Sequence, residues 1–369
     1  MRVLVSPDCF TGTLTSVEAA NAIREGWIQV HPEDEVVIAP LSDGGPGFVG
    51  GLHAVLGGEL ITVIVTDPLG KKTPAQFLLR DEDAWIESAQ ACGLHLIGPD
   101  QQNPRTTTTY GVGELLIHAI GRGAKTITIG LGGSGTNDAG AGMLAALGAT
   151  SDGELAAGGA RLKELSNVDL SFAIAKVSGV ELIAASDVDN TLLGLRGATA
   201  VFGPQKGADE FAVMELEGAL ENFSVLCGRR SDGKDPAVAL GSGAAGGLGY
   251  GLLLLGATRV AGIETVLEIV KLDDEIQKAD LVITGEGCLD DQSLHGKVIA
   301  GVASHSAALG KPCVALAGDV RLGKRECATA GIDSAYSMSE FAGRERSMAE
   351  PASVLAEVSA RMSQTWGRR

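Results

Sequence analysis

Two carboxylates (Asp187 and Asp189), an amide (Asn190), a guanidinium (Arg196) and an ammonium (Lys206) fall within one stretch, SDVDNTLLGLRGATAVFGPQKG at 186–207, interleaved with glycines. The stretch leaves the apolar run 180–185. An apolar run that ends in polar and Gly residues is how a buried parallel strand delivers chemistry, because ligands of open α/β sheets sit beyond the carboxyl ends of the strands. Carboxylates there suit proton abstraction or a hard cation, and Lys and Arg suit a carboxylate or phosphate.

Other segments carry related signals. GGSGTNDAGAG at 132–142 follows the strand expected at 126–131 and precedes a run of small residues. Its backbone N–H groups suit an anion, with Gly132, Gly133, Ser134, Thr136 and Asn137 as nucleotide contacts. The plainer reading is a tight turn with Asp138 as helix cap. GEGCLDDQSLHGK at 285–297 follows the apolar LVIT and lacks the spacing of a phosphate-binding P-loop. It still offers Gly285, Glu286 and Lys297 to a nucleotide and Asp290 to magnesium; a solvated loop with a surface lysine is the alternative. Asp8 leaves the first expected strand, and Asp43, before Gly44-Gly45, leaves the second. The two can converge on one crevice or merely cap the helices that follow. TTTTYGVGE at 106–114 stacks hydroxyls, Thr109 among them, before a helix, where they can hold an anion or serve a strand. GSGAAGG at 241–247 matches a dinucleotide fingerprint literally, but its preceding residues make a poor strand and Glu264 is the nearest candidate for a ribose. Close helix packing and a phosphate-facing helix start both remain open for it. The six histidines, including His295, show no metal spacing and no partnered nucleophile.

Taken in order, SPDCFTGTL, SDGG, GGSGTNDAGAG, DVDN, LRGATAVFGPQKGA, GSGAAGGLG and GEGCLDDQSLHGK resemble the bacterial class of glycerate kinases that phosphorylates the 2-hydroxyl. The similarity covers nearly the whole chain. Where that family usually carries Ser and Lys, this chain has Cys9 and Thr11. The resemblance implies ATP and magnesium, D-glycerate as acceptor and 2-phosphoglycerate as product; the residues by themselves indicate only a small anionic hydroxy compound with a nucleotide. Phosphoryl transfer needs positioning, charge neutralisation and a proton acceptor. Asp189 is expected as general base, Asp187 as magnesium ligand or orienter, and Lys206 with Arg196 as partners of the substrate carboxylate or transferring phosphate. Asp8 and Asp290 can exchange places with Asp187 and Asp189. Asn190, Asp43 and Thr109 complete the expected substrate contacts.

These groups need a scaffold that brings strand ends together. The chain has 369 residues, 45% of them hydrophobic, only 4% aromatic, with 52 glycines, an α/β composition long enough for two domains. RVLVSP, 16–30, EVVIAP and 47–56 read as strand, helix, strand and helix. Short β-rich runs with hairpin turns follow from about 58, and alternation returns after Thr107. DLVITGEG, PCVALAG and DSAYSM read as strands of the first sheet, and 351–366 as a closing helix with Val354, Leu355, Val358, Met362 and Trp366 on one face. The expected fold is α/β: a Rossmann-like, doubly wound parallel-sheet domain formed by both termini (1–58 and 258–369), with a second α/β domain (59–257) inserted and the site in the cleft between.

A formal net charge of −17 argues against nucleic-acid binding, which draws on clustered Lys and Arg. The cysteines show no CxxC pair, no stretch reaches a membrane span, and a cytoplasmic enzyme acting on small molecules is expected. A homo-oligomer is neither required nor excluded. Two rival readings are a nicotinamide-dependent oxidoreductase resting on GSGAAG and a non-catalytic sensor of small organic acids.

Overall fold

The computed structural model describes residues 1–10, 12–294 and 297–367. The chain divides into two compact units, the first of residues 1–43, 50–57 and 263–369 and the second of 44–49 and 58–262. In chain order the strands are β1 (Arg2–Val5), β2 (Glu35–Ile38), β3 (Glu59–Thr66), β4 (Lys72–Arg80), β5 (Asp83–Glu87), β6 (Thr126–Gly130), β7 (Thr150–Ser151), β8 (Val168–Asp169), β9 (Glu181–Ala185), β10 (Thr258–Val260), β11 (Leu281–Leu289), β12 (Cys313–Val320) and β13 (Ser334–Ser337).

The first unit is built on a five-stranded sheet of order β13-β12-β11-β1-β2, every pair parallel. Ranked along the chain, the order from the other edge is 2-1-3-4-5, a doubly wound sheet whose direction of winding reverses between β1 and β11. Strands buried on both faces must be apolar throughout, and Val3, Val5, Leu281, Ile283, Val314 and Leu316 are buried in one core. Helix Ser16–Val30 starts on a capping box, Thr15 Oγ1 accepting from Glu18 N at 3.2 Å while the Glu18 carboxylate accepts from Thr15 N at 2.9 Å. The closing helix Pro351–Trp366 lies against it: Val354, Leu355, Val358, Met362 and Trp366 are buried, and Ser359 Oγ donates to Ile23 O at 2.7 Å. Gly26 is where the two helices touch, since a Cβ there would run into the Ala356 carbonyl.

The second unit carries a six-stranded sheet of order β10-β9-β6-β5-β4-β3. The β3–β4 and β4–β5 pairs are antiparallel, as the hairpin turns require, and β5, β6, β9 and β10 run parallel. The boundaries differ from those expected on both sides. Residues 258–262 follow the second unit because β10 pairs with β9. Residues 44–49 join it because their backbone lies against the ends of β6 and β9: a Cβ on Gly44, at φ +95°, would meet Ala185 O at 3.1 Å. Glu87, at the end of β5, accepts from Gly47 N at 3.0 Å and fixes the same segment.

The run expected as a helix at 243–256 is helix Ala244–Leu254, with Ala245, Gly246 and Gly247 in left-handed conformations. A Cβ on Gly247 would come within 2.6 Å of Ala139 Cα, and Ala139 N donates to Gly246 O at 3.1 Å. GSGAAGG therefore serves close packing of one loop on another. Glu264, the residue a ribose would have needed, pairs with His305 at 3.4 Å in the first unit.

Candidate active site

In the second unit, β6 ends at Gly130 and the chain turns through 131–140 before helix Ala141–Ala146. The turn is crowded from below, because a Cβ on Gly132 would meet Gly45 Cα at 2.5 Å and Gly133 adopts φ +66°. Over it sits Lys206, in a 3-10 turn Pro204–Lys206, with 2% of its surface exposed. It is no surface lysine. Its ammonium donates to Ser134 Oγ at 2.9 Å and to Thr136 O at 2.7 Å. Both acceptors are neutral, a lysine has three donors, and no carboxylate among the described residues makes an ion pair with it. Burial accordingly lowers its pKa to about 8, against the opposing pull of Cys92 and Asp138. Gly132, Gly133, Ser134, Gln205 and Lys206 line a pocket of about 330 Å³ whose apolar side is Leu94, Val188 and Phe202. A buried cation at a pocket wall of glycines and a hydroxyl is a receptor for an anion.

The rest of that turn is buried. Asp138 is fully buried and collects Thr109 N at 2.8 Å, Thr109 Oγ1 at 2.9 Å, Gly140 N at 3.1 Å and Gly142 N at 3.2 Å. Burial raises its pKa and these donors pull it back. Thr109 was expected at the substrate; instead its hydroxyl, bonded also by Met143 N at 3.0 Å, holds two segments together. Asn137 is fully buried, its amide donating to Thr199 Oγ1 at 2.9 Å, and Thr136 contributes its carbonyl. Neither side chain reaches solvent.

Beyond β9 lie the residues read first in the sequence. Asp187 is partly buried, and Asn190 Nδ2 donates to the Arg196 carbonyl at 2.7 Å, bracing the loop. Arg196 is exposed. Asp189, expected as the base, is 68% exposed in its side chain and bonds Arg259 Nη2 at 2.7 Å. It sits at the surface in an ion pair.

The first unit gathers the other candidates at the reversal of its sheet. β11 runs to Leu289, two residues past the expected strand DLVITGEG, so Gly285 and Glu286 lie well inside it, paired with Leu316 and Ala317. Gly285 is packed under the Phe10 ring, which a Cβ would approach to 3.3 Å. Asp8, just past β1, accepts from Cys9 N at 2.7 Å. Burial first, then Asp43 and Glu286, raise the Asp8 carboxyl to about 7, so it is half-protonated near neutrality. The Glu286 carboxyl is raised by burial as well, opposed by Ser293 and Lys297, and its Oε1 has no hydrogen-bond partner among the described residues. Asp290 follows the end of β11 and accepts from Gln292 N at 2.9 Å. Lys297 precedes helix Val298–Ala308. Thr11 and His295 lie outside the described residues.

Among the described residues no three His, Cys, Asp or Glu side chains are grouped to hold a metal ion, and no helix is long and apolar enough to cross a membrane. Asp187 and Asp290, the two expected magnesium donors, belong to the second and the first unit respectively.

Residues 3–367 match the model of the glycerate kinase family. The chain belongs to that family. It is 41% identical to the glycerate kinase of Halalkalibacterium halodurans across 91% of this chain and 90% of that one. It is 38% identical to the glycerate 2-kinase of Escherichia coli K12 across 92% and 90%. A crystal structure of a putative glycerate kinase 2 from Salmonella typhimurium LT2 superposes with a TM-score of 0.83 at 36% identity, over 100% of this chain and 98% of that one. Membership makes the chain an enzyme, an ATP-dependent phosphotransferase. The oxidoreductase reading falls with the packing role of 241–247, and the sensor reading falls with membership of an enzyme family.

The sequence reading missed Gln205 and the apolar side of the Lys206 pocket. Gln205 stood inside a motif already singled out, whereas Leu94, Val188 and Phe202 are apolar residues from separate elements that carry no local signal.

Proposed function

We propose that the enzyme transfers the γ-phosphoryl of ATP to the 2-hydroxyl of D-glycerate, giving 2-phosphoglycerate, with magnesium carried on the nucleotide. The observation that bears most weight is Lys206: a buried ammonium with neutral partners and a donor to spare, at the wall of a pocket suited to a small anion. In this reading it binds the glycerate carboxylate or the transferring phosphoryl, and the backbone of Gly132 and Gly133 with the Ser134 hydroxyl supplies further donors. Asp8 takes the hydroxyl proton. A carboxyl raised to about 7 is a better base than an ordinary aspartate. Asp43 and Glu286 set its charge environment, and Lys297 acts in turn on Glu286. Asp290 in the first unit or Asp187 in the second would serve as a hard oxygen donor to magnesium, which would neutralise phosphate charge when bound. Arg196, exposed, and Asn190, which braces the loop beyond β9, keep a substrate-binding role. All six cysteines are free, which fits a reducing compartment and hence the cytoplasm.

The reading is tested by ADP release with D-glycerate, L-glycerate and related hydroxy acids, with and without magnesium. ADP formed with D-glycerate only when magnesium is present supports it; equal rates without acid, or with every hydroxy acid, contradict it.

A further inference from the structure

We propose that a pocket in the first unit, distinct from the Lys206 pocket, binds the adenosine part of ATP. The inference rests on the kinase reading and adds where the nucleoside goes. β11 and β12 outrun their neighbours: they stay paired at Cys288 with Asp319 and Leu289 with Val320, whereas β1 ends at Val5 and β13 at Ser337. The overhang stands beyond the carboxyl edge of a doubly wound sheet, next to the strand where its winding reverses, the position such sheets use for nucleotides. Against it lies a cavity of about 140 Å³ lined by Phe10, Cys288, Asp319, Arg321, Met338 and Arg344.

The size decides what part of the ligand enters. A pocket for a whole small molecule has roughly 300–1,000 Å³. This one takes the flat fused ring system of a purine and leaves sugar and phosphates at its mouth. Its floor is apolar, Phe10 and Met338 each being 2% exposed, and an aromatic ring with a thioether is a good surface for a heteroaromatic base. Gly287 and Gly318 leave bare backbone on one wall, where the edge of the base finds donors and acceptors. A side chain is not tolerated at Gly318, whose Cβ would lie 2.5 Å from the Gly287 oxygen.

The rim is charged and open. Asp319 and Arg321 pair at 3.4 Å with side chains 44% and 62% exposed, so both can turn to a ligand. The carboxylate accepts from ribose hydroxyls, and Arg321 with Arg344 faces the triphosphate. Two guanidinium groups stand at the pocket mouth beside Asp319, where they can turn to a polyanion.

Irradiation of the full chain with 2-azido-ATP, followed by digestion and mass spectrometry, reads the site without turnover. An adduct on peptides carrying Cys288, Arg321 or residues 338–348, competed by ATP and by adenosine, supports the proposal. An adduct confined to 132–137 or 202–206 overturns it. Asp319→Asn and Arg344→Ala, both at exposed positions, are expected to raise KM for ATP about tenfold while KM for D-glycerate stays within about twofold. An unchanged KM for ATP in both variants also overturns it. Failure of D-glycerate to yield ADP would sink the kinase reading alone, because the photolabel still reports whether the pocket binds adenosine.

Discussion

Lys206 Nζ lies 2.9 Å from Ser134 Oγ and holds the Gly-rich turn after β6 from above with a charge that has no ion-pair partner among the described residues. Burying an ammonium with neutral acceptors costs free energy, so a fold that keeps it uses it for something other than stability. Lys206→Met preserves the stem and removes the charge. The variant is expected to melt at or above the parent temperature while kcat/KM falls about 10²- to 10³-fold, the scale of losing one preorganised charge contact. A lower melting temperature with normal kinetics would make Lys206 a structural residue.

The pH dependence follows from two groups. Asp8, at about 7, must be ionised to accept a proton, and Lys206, at about 8, must be protonated to bind an anion. The profile of kcat/KM is therefore expected to be a narrow bell with limbs near these values. Asp8→Asn removes the acid limb along with most activity. Stability gives an independent reading of the same carboxyl. Because its folded pKa lies above the ordinary 3.8, the folded state binds the extra proton between about pH 4 and 7, and stability contributed by Asp8 is lost as pH rises through that window. Asp8→Asn should flatten that fall, so the gap between variant and parent midpoints in urea widens from pH 4 to pH 8. A constant gap would contradict the raised pKa.

Asp189→Asn separates the sequence expectation from the structure. An exposed carboxylate paired with Arg259 contributes about 0.2–1 kcal/mol, and its loss is expected to leave kcat within about threefold. A loss of roughly 10²-fold would return the role of base to Asp189.

Asp138→Ala tests the architecture beneath the turn. It strands Thr109 N, Gly140 N and Gly142 N in a fully buried place, each such donor costing roughly 1–3 kcal/mol, so a loss of about 3 kcal/mol or more in urea denaturation is expected. A loss below about 1 kcal/mol would mean the turn holds without it.

Much of this was legible in the sequence because strands such as β1, β6, β11 and β12 are apolar runs with Gly or polar ends, and because the closing helix displays its buried face at helical spacing from Val354 to Trp366; the short Thr258–Val260 strand carries no such pattern. What sequence could not give was which polar residue faces inward. TTTT and TND look alike as hydroxyl-rich anion binders, yet Asp138 draws Thr109 into the core while Ser134 stays at the pocket. Burial of Lys206 depends on a turn and a loop 72 residues apart in sequence, which no local pattern records. The expected strand DLVITGEG stops at Gly287, whereas pairing with β12 carries β11 on to Leu289. Asp319, beyond the apolar part of β12, was missed for the same reason.

The central claim is a phosphoryl group on the 2-hydroxyl of glycerate. Phosphorus NMR of the product formed from D-glycerate and magnesium ATP tests it most directly. Phosphate on the secondary carbinol couples to one carbon-bound proton and gives a doublet; on the primary carbinol it couples to two and gives a triplet. A new phosphomonoester doublet, growing with ADP, is the predicted result. A triplet would contradict the assigned hydroxyl, and the absence of any new phosphomonoester signal while ATP is consumed would contradict the assigned reaction.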